Sequence, residues 1–261
     1  IHERRDTLFG GRLPAPNLKT LAGLTNYVEE HGCDIGIATD GDADRLGVID
    51  DKAEFLHPNK ILVLLYYYLM RYRGWRGAAV RNLATTHLLD RIAEDFGETC
   101  YEVPVGFKYV SAKMVETGAI IGGESSGGLT VRGHIQGKDG IYAAALLVEA
   151  IAKTGRRLSA LWDEITQKYG AAEMAEHDFH FSSAERTRIF KLLMEDKQLP
   201  EFPCEIAKVS YMDGCKVYFK NGGWVIARFS GTEPLLRVFC EMDTMENAEK
   251  FAKILTEFLS L

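Results

Sequence analysis

Three aspartates on alternate residues, followed at once by an arginine, are the strongest chemical signal in this sequence. Residues 40–45 read Asp-Gly-Asp-Ala-Asp-Arg. Carboxylate oxygens are the hard ligands that Mg²⁺ prefers, and Mg²⁺ held by few protein groups usually completes its shell with water and a phosphate oxygen. We therefore predict that Asp40, Asp42 and Asp44 bind Mg²⁺ and that Arg45 grips an adjacent phosphate through its planar fork.

A solvated acidic turn and a calcium-binding EF-hand loop are the alternative interpretations of this segment. Three aspartates between two apolar strands would repel one another unless a cation lay among them, which argues against the plain turn. An EF-hand loop would place Asp51 at its twelfth position, but it requires glycine at the sixth position, where Arg45 stands. It also requires flanking helices, whereas the flanking residues predict strands.

A second cluster near the end of the chain combines hydroxyls, a glycine and two arginines. Ser230, Gly231 and Thr232 lie between Arg228 and Arg237. Hydroxyl groups, backbone N–H groups left accessible by glycine and planar guanidinium groups together form a cradle for a phosphate dianion. A plain turn between two strands explains the same segment when it is taken alone, because Ser and Gly are common turn residues.

A glycine-rich loop at residues 122–128, called the sugar loop below after its predicted role, reads Gly-Gly-Glu-Ser-Ser-Gly-Gly. Glu124 and Ser126 suit the hydroxyls of a sugar, because a carboxylate accepts hydrogen bonds and a hydroxyl both accepts and donates them. The alternative interpretation is an ordinary loop, in which the glycines serve only to turn the chain.

Lys138 lies in the segment 134–140, which reads His-Ile-Gln-Gly-Lys-Asp-Gly and opens a helix. We expect this lysine to be exposed in the loop, and beside the other motifs it is a candidate proton donor or acceptor for a reacting hydroxyl. His134 and Lys108 are further candidates for contact with a substrate. A salt-bridged surface lysine is the more ordinary role for Lys108.

Apolar runs on either side of the acidic loop predict two strands, at residues 34–38 and 46–50, that hold the loop at a strand end. A predicted helix follows, from Pro58 to Gly74. Beyond it we predict strands at 78–83, 100–103 and 120–121, and helices at 88–96, 109–116, 141–153 and 158–169. This alternation predicts an α/β fold of mixed, mostly parallel sheets with helices on both faces.

The last part of the chain predicts a smaller α+β domain with an antiparallel sheet. Ser182 and Glu185 form a capping box for a helix that extends to about residue 196, and Asn221-Gly222 predicts a hairpin turn. The remaining predicted elements are strands at 206–211, 216–219, 224–229 and 235–241 and a final helix at 246–259 that Thr244 caps. The predicted domains are residues 1–75, 76–170 and 171–261.

Composition excludes several classes of function. The 261 residues are 46% hydrophobic and carry a formal net charge of −6, without a basic stripe for nucleic acid or a polybasic patch for a membrane. The longest apolar stretch, residues 61–70, is about half the length of a membrane span. Five widely spaced cysteines suit reduced thiols in the cytoplasm. The chain opens without Met or a secretory signal, and we expect a fragment.

These motifs, in this order and at these intervals, resemble the α-D-phosphohexomutase family, which includes phosphoglucomutases and phosphomannomutases. The resemblance extends over essentially the whole chain. It implies a four-domain, heart-shaped enzyme whose first three domains are related α/β units and whose fourth is a smaller phosphate-binding unit. By this resemblance the chain holds part of the second domain with the metal loop, the third domain with the sugar loop, and the fourth domain.

The resemblance also implies roles for individual residues. Asp40, Asp42 and Asp44 would hold a Mg²⁺ ion that also touches a phosphoserine, with Arg45 beside them. Lys138 matches a lysine that assists proton transfer. The implied substrate contacts are the sugar-hydroxyl residues Glu124 and Ser126 and the non-reacting-phosphate residues Arg228, Ser230, Gly231, Thr232 and Arg237.

Two departures from the family pattern stand out. Many relatives have Glu-Glu-Ser-Gly where this chain has Glu124-Ser125-Ser126-Gly127. The family's phosphoserine loop, Thr-Ala-Ser-His-Asn-Pro, occurs nowhere in the sequence. We therefore predict a phosphohexomutase that interconverts hexose 1-phosphate and hexose 6-phosphate through a phosphoserine and a hexose bisphosphate, with the serine outside this chain and the chain alone inactive.

Three alternative functions remain open at this point. Phosphoglucosamine mutase belongs to the same family, and the sugar loop of one sequence does not separate it from the glucose and mannose enzymes. A non-catalytic sugar-phosphate-binding protein would lack the nucleophile altogether. A metal-dependent phosphatase would use an aspartate of the acidic loop as its nucleophile, but it gives the distant phosphate cradle no purpose. The sequence does not indicate an oligomeric state.

Overall fold

A computed structural model describes residues 1, 4–231 and 233–261, and the chain forms two compact units, Ile1–Tyr169 and Gly170–Leu261. The helices of the first unit are α1 (Ala22–His31), α2 (Pro58–Arg71), α3 (Leu88–Asp95), α4 (Phe107–Thr117), α5 (Gly140–Thr154) and α6 (Leu158–Tyr169). Its strands are β1 (Gly36–Thr39), β2 (Leu46–Ile49), β3 (Phe55–Leu56), β4 (Ala79–Asn82), β5 (Cys100–Val103), β6 (Ile121–Gly123) and β7 (Leu129–Val131).

A four-stranded sheet in the order β5-β4-β6-β7 lies at the centre of the first unit. β4 pairs in parallel with β5 and β6, and β7 closes the sheet in the antiparallel direction. Side chains alternate across the central strand: Val80 joins an apolar cluster with Val110 of α4, and Arg81 binds Asp90 of α3 through two guanidinium nitrogens. Helices therefore cover both faces, and the predicted α/β class is confirmed.

A smaller antiparallel sheet in the order β1-β2-β3 carries the acidic loop. Thr39 pairs with Leu46, so residues 40–45 close the hairpin between β1 and β2. The same series of elements occurs twice: a helix that ends at a left-handed glycine, Gly32 or Gly118, is followed by a strand, a loop and an antiparallel strand. The acidic loop and the glycine-rich loop at residues 124–128 thus lie at equivalent points of a repeated unit.

α2 begins at Pro58, as predicted, and every residue from 61 to 70 is buried. Three consecutive tyrosines lie in this run, and two of them reach carboxylates: the hydroxyl of Tyr67 donates to Glu164 at 2.6 Å and that of Tyr68 to Glu149 at 2.5 Å. These bonds tie α2 to α6 and α5. Among the described residues no helix is long and apolar enough to cross a membrane.

The second unit is a five-stranded antiparallel sheet in the order β8-β12-β11-β10-β9. Its elements are β8 (Glu173–His180), α7 (Ser183–Phe190), β9 (Ile206–Ser210), β10 (Cys215–Phe219), β11 (Trp224–Phe229), β12 (Leu235–Met242) and α8 (Met245–Phe258). The core combines Val217 and Val225 of the sheet with Phe251 and Leu255 of α8. Both predicted helix starts, at the Ser182 capping box and the Thr244 cap, are confirmed.

Three strands were not predicted, and each has a weak signal. β3 and β7 contain two and three residues, too few to display a period. β8 is an edge strand in which Glu176, Asp178 and His180 face solvent, so that its alternating pattern contains little apolar character. The helix predicted up to residue 196 ends in a π-helical turn at Lys191–Glu195.

Asp51 connects the small sheet to α6 by capping the first turn of that helix. Its carboxylate accepts hydrogen bonds from the N–H of Ser159 at 3.1 Å and from the Ser159 hydroxyl at 2.7 Å. Burial disfavours the ionised form, but these bonds outweigh it and hold the pKa of Asp51 below its ordinary value. The bonded N–H is one of the four that a helix start leaves without an intrahelical partner.

We expect Asp51→Asn to lower the free energy of unfolding of the first unit by about 0.5–2 kcal/mol at neutral pH, the usual effect of losing a cap. The pKa is lower in the folded state, so this stabilisation is complete above about pH 3.9 and is lost as the pH falls through the folded pKa. Urea denaturation at neutral and acidic pH measures the difference. Asp163→Asn, on an exposed side chain of α6, is the control, and an equal loss there would contradict the cap.

Candidate functional site

The acidic loop holds its three carboxylates close together. One oxygen from each of Asp40, Asp42 and Asp44 lies within 4.8 Å of the others. Asp40 is buried, and Arg45 binds it twice: the backbone N–H donates to Oδ1 at 3.0 Å and Nε to Oδ2 at 2.5 Å. Burial opposes ionisation of Asp40, but these bonds and the positive charge of Arg45 hold its pKa below the ordinary value.

Lys138 enters the same loop from a distant part of the sequence. Its ammonium group forms an ion pair with Oδ2 of Asp44. The sequence predicted an exposed lysine, and this is wrong: only 27% of the side chain is accessible. The reason is that the three crowded carboxylates of the acidic loop attract a second cation besides Arg45, whose Nε lies 3.8 Å from Asp44.

Backbone contacts join the acidic loop to the two other motifs of the first unit. Arg45 forms an isolated β-bridge with Gly128 of the sugar loop. The N–H of Gly140, at the start of α5, donates to the carbonyl of Ala43 at 3.0 Å. The approach at Gly140 requires glycine, because a Cβ there would lie 2.7 Å from the carbonyl oxygen of Arg45, and a Cβ at Gly128 would displace the aliphatic stem of Lys138.

Glu124 of the sugar loop is buried and hydrogen-bonded. Its Oε1 accepts from the side-chain amide of Asn82 at 3.0 Å and from the N–H of Gly106 at 3.0 Å. Ser126, two residues further on, is exposed. The first residues of the predicted loop, Gly122 and Gly123, belong to β6, so the loop proper is residues 124–128.

His134 and Lys108 have partners of their own. His134 lies against the ring of Tyr142 and its Nε2 is 2.7 Å from Oδ2 of Asp139, the residue that caps α5. The N–H of Tyr142, then His134, hold the pKa of Asp139 below its ordinary value. Lys108 is exposed and lies over the ring of Tyr109 at 4.9 Å. Their predicted contacts with substrate stay predictions.

The second unit sets two arginines directly opposite each other on neighbouring strands, Arg228 of β11 and Arg237 of β12. Like charges in this position repel, and each arginine is paired with a carboxylate. Arg228 Nε donates to Asp213 at 2.8 Å, and Arg237 donates to Glu233 at 3.1 Å. Arg237 Nε is buried without a hydrogen bond to any described residue, and Oδ1 of Asp178 lies 3.6 Å from it.

The turn between these strands carries the other predicted phosphate contacts. Ser230 bonds through its N–H to the carbonyl of Leu235 at 2.8 Å, and Gly231 is exposed. Thr232 lies outside the described residues.

The three aspartates fit a small hard cation. Opposite ligands of an octahedral Mg²⁺ ion, each at about 2.1 Å, stand about 4.2 Å apart. The carboxylate oxygens of Asp40, Asp42 and Asp44 all lie within 4.8 Å of one another, which is close to that separation. All three donors are oxygens, the type that Mg²⁺ prefers over nitrogen or sulfur.

Two residues with direct contacts to the predicted site were not found from the sequence. Asn82, the last residue of β4, binds Glu124, and Asp213 binds Arg228. A polar residue at the carboxyl end of a predicted parallel strand is a usable signal, because ligands bind at that edge of open α/β sheets. Asp213 carries no comparable signal, because Asp-Gly marks many ordinary turns.

Three family models match successive parts of the chain. Residues 1–53 match alpha/beta/alpha domain II of phosphoglucomutase/phosphomannomutase, residues 57–169 match alpha/beta/alpha domain III, and residues 190–257 match the C-terminal domain. The matched segments follow one another in the order of the domain numbers.

Individual relatives carry mutase names. A phosphoglucomutase/phosphomannomutase of Thermococcus kodakarensis is 33% identical over 97% of this chain and 53% of its own length. A protein of Pyrococcus furiosus, named provisionally as a phosphoglucosamine mutase, is 32% identical over 91% of this chain and 50% of its own. A crystal structure from Thermus thermophilus, assigned provisionally to the phosphomannomutases, has a TM-score of 0.78 and 31% identity over 98% of this chain and 52% of that one. The chain spans about half the length of these relatives.

Gly140→Ala tests the close approach of α5 to the acidic loop. Alanine would ordinarily gain up to about 1 kcal/mol over glycine in a helix. Here the added Cβ meets two backbone carbonyls, those of Arg45 and Ala43, and we expect a net loss of about 1–3 kcal/mol in the free energy of unfolding. Gly137→Ala is the control, since its Cβ meets only Ile135 at 3.8 Å. Equal unfolding midpoints in urea for both variants would contradict the packing.

Proposed function

Since this chain belongs to the α-D-phosphohexomutase family, we propose that it forms part of a mutase that interconverts hexose 1-phosphate and hexose 6-phosphate, with glucose, mannose or both as the sugar. One observation carries the proposal: the first unit brings the acidic loop, the sugar loop and Lys138 into direct contact. These are the parts that hold a cation, orient a sugar and move a proton.

The acidic loop is the proposed metal site. Asp40, Asp42 and Asp44 would hold Mg²⁺, with Arg45 keeping Asp40 ionised and in place. A bound Mg²⁺ ion supplies positive charge that stabilises a phosphoryl group in transit. Lys138 is joined to this loop by its ion pair with Asp44. Its proposed role is to move the proton of the reacting hydroxyl.

The sugar loop and the arginine pair are the proposed contacts with the remainder of the substrate. Glu124 and Ser126 would bind hydroxyls of the hexose, and His134 and Lys108 flank this group in the sequence. Arg228, Arg237 and the turn at Ser230-Gly231-Thr232 would bind the phosphate that is not reacting. The buried Nε of Arg237, which donates no hydrogen bond to a described residue, supports this role, because a phosphate oxygen would satisfy it.

The phosphoryl carrier in this proposal is a phosphoserine outside the 261 residues. It passes its phosphoryl group to the substrate, and the resulting hexose bisphosphate returns its other phosphate to the serine. Phosphoglucosamine mutase is the second candidate, favoured by a curated relative with that name at 32% identity. A non-catalytic sugar-phosphate-binding protein is the third, and it differs by lacking a nucleophile in its full-length form.

Turnover by the full-length protein decides among these functions. We expect it to convert glucose 1-phosphate or mannose 1-phosphate to the 6-phosphate in the presence of Mg²⁺ and the bisphosphate, and we expect the present chain alone to be inactive. Asp42→Asn should abolish turnover and weaken Mg²⁺ binding, whereas Asp34→Asn, an exposed aspartate, should not. Selective turnover of glucosamine 1-phosphate would favour the second candidate. Binding of hexose phosphate without turnover would favour the third.

Arg228→Lys in the full-length protein tests the phosphate clamp. Lysine keeps the charge but lacks the planar fork, so we expect KM for the hexose phosphate to rise roughly tenfold. Arg228→Ala should raise KM further and lower kcat, because both ends of the bisphosphate visit the clamp. Lys220→Ala removes one exposed positive charge from the same unit and serves as the control. If Arg228→Ala leaves KM and kcat unchanged, Ser230-Gly231-Thr232 is an ordinary turn and the phosphate clamp is contradicted.

A further inference from the structure

Asn82 is a buried polar residue at the carboxyl end of a central strand of the first unit. It is the last residue of β4, the strand between β5 and β6, and only 3% of it is exposed. The loops that follow these two neighbouring strands supply Gly106 and Glu124. Because the carboxyl ends of parallel strands meet at one edge of a sheet, Asn82 lies between the two loops.

The Asn82 amide binds one selected oxygen of Glu124. Its Nδ2 donates to Oε1 at 3.0 Å, and the N–H of Gly106 donates to the same Oε1 at 3.0 Å. No described residue donates a hydrogen bond to Oε2 of Glu124. The two oxygens of this carboxylate are therefore in different situations: one is fixed by the protein, and the other keeps its accepting capacity.

The orientation of the Asn82 amide is itself determined. Its Oδ1 accepts from the N–H of Ala84 at 2.9 Å and from the hydroxyl of Thr85 at 2.9 Å. Since two donors point at Oδ1, the nitrogen must be the atom that faces Glu124. The hydroxyl of Thr85 in turn accepts from the N–H of Ser125 at 3.1 Å. One buried network thus holds both the side chain of Glu124 and the backbone after it.

We propose that Asn82 is a positioning residue that fixes Glu124 so that Oε2 alone meets a hexose hydroxyl, and that this orientation determines which sugar the site accepts. The proposal rests on the function proposed above, in which Glu124 contacts the sugar. Hexose epimers differ in the direction of a single hydroxyl. A carboxylate held through one oxygen suits one direction better, whereas a carboxylate free to rotate follows either.

Kinetics of two variants in the full-length protein test the role of Asn82. Asn82→Asp keeps the shape but sets a second carboxylate against Glu124, and Asn82→Ala removes the donor. We expect each to lower kcat/KM for the preferred hexose 1-phosphate about tenfold to a hundredfold, the range of a hydrogen bond to a charged group. The ratio of kcat/KM among glucose, mannose and galactose 1-phosphates should shrink at least about threefold, which a purely structural role would not cause.

A double-variant series shows whether Asn82 acts through Glu124. In the background of Glu124→Gln, Asn82→Ala should lower kcat/KM by less than about twofold, because the carboxylate that it orients is gone. Asn247→Ala is the matched control, since Asn247 donates to the exposed Asp243 at 2.8 Å in the second unit and should leave all ratios unchanged. Equal effects of Asn82→Ala with and without Glu124 would overturn the proposal, as would unchanged epimer ratios.

Amide hydrogen exchange in the present chain gives a readout that does not need activity. The N–H groups of Gly106 and Ser125 bond to the network, so they should exchange faster in Asn82→Ala, with unchanged protection in the core of α2. If the full-length parent turns over no hexose phosphate, the proposed function fails, while faster exchange still supports the contact with Glu124. Unchanged exchange at both groups would overturn the positioning role. Failure of both variants to fold would make Asn82 a structural residue and overturn it too.

Discussion

Repulsion among the three carboxylates of residues 40–45 is the constraint on which the rest of the first unit depends. Arg45, from the loop itself, binds Asp40, and Lys138, from the segment before α5, binds Asp44. Bringing Lys138 to this loop requires the backbone at Gly128 to pass against its aliphatic stem. The packing of the segment before α5 against the sugar loop thus places the ammonium group of Lys138, a second cation, at the acidic loop.

The second unit meets the same electrostatic problem with the signs reversed. Arg228 and Arg237 lie opposite each other on neighbouring strands, and the carboxylates of Asp213 and Glu233 relieve their repulsion. In the proposed function a phosphate displaces one or both of these carboxylates from the arginines. Phosphate binding is then an exchange of one anion for another, because the arginines are already paired before the substrate binds. In both units, side chains of opposite charge therefore neutralise the crowded charges of the candidate site in the absence of a ligand.

Local patterns predicted most of the fold and supplied the residues of the candidate site, and long-range contacts account for the features that these patterns left out. The Ser182 capping box, the Pro58 helix start and the strands around the acidic loop depend on neighbours in sequence, and all were predicted. The bond from Asn82 to Glu124 joins residues 42 positions apart, and the pairing of Lys138 with Asp44 depends on how the elements pack. Neither contact leaves a periodic trace, so sequence analysis missed the first and predicted an exposed Lys138.

The β-bridge between Arg45 and Gly128 has a mechanical consequence. A further backbone bond, from the N–H of Leu46 to the carbonyl of Gly127 at 3.4 Å, lies next to it. Two loops joined main chain to main chain translate and rotate together, whatever else in a larger protein opens or closes around a substrate. A cation held by one loop and a sugar held by the other would keep a constant separation through such motions. In the proposed mutase, the hexose would then move relative to both loops when it turns between the two phosphoryl transfers.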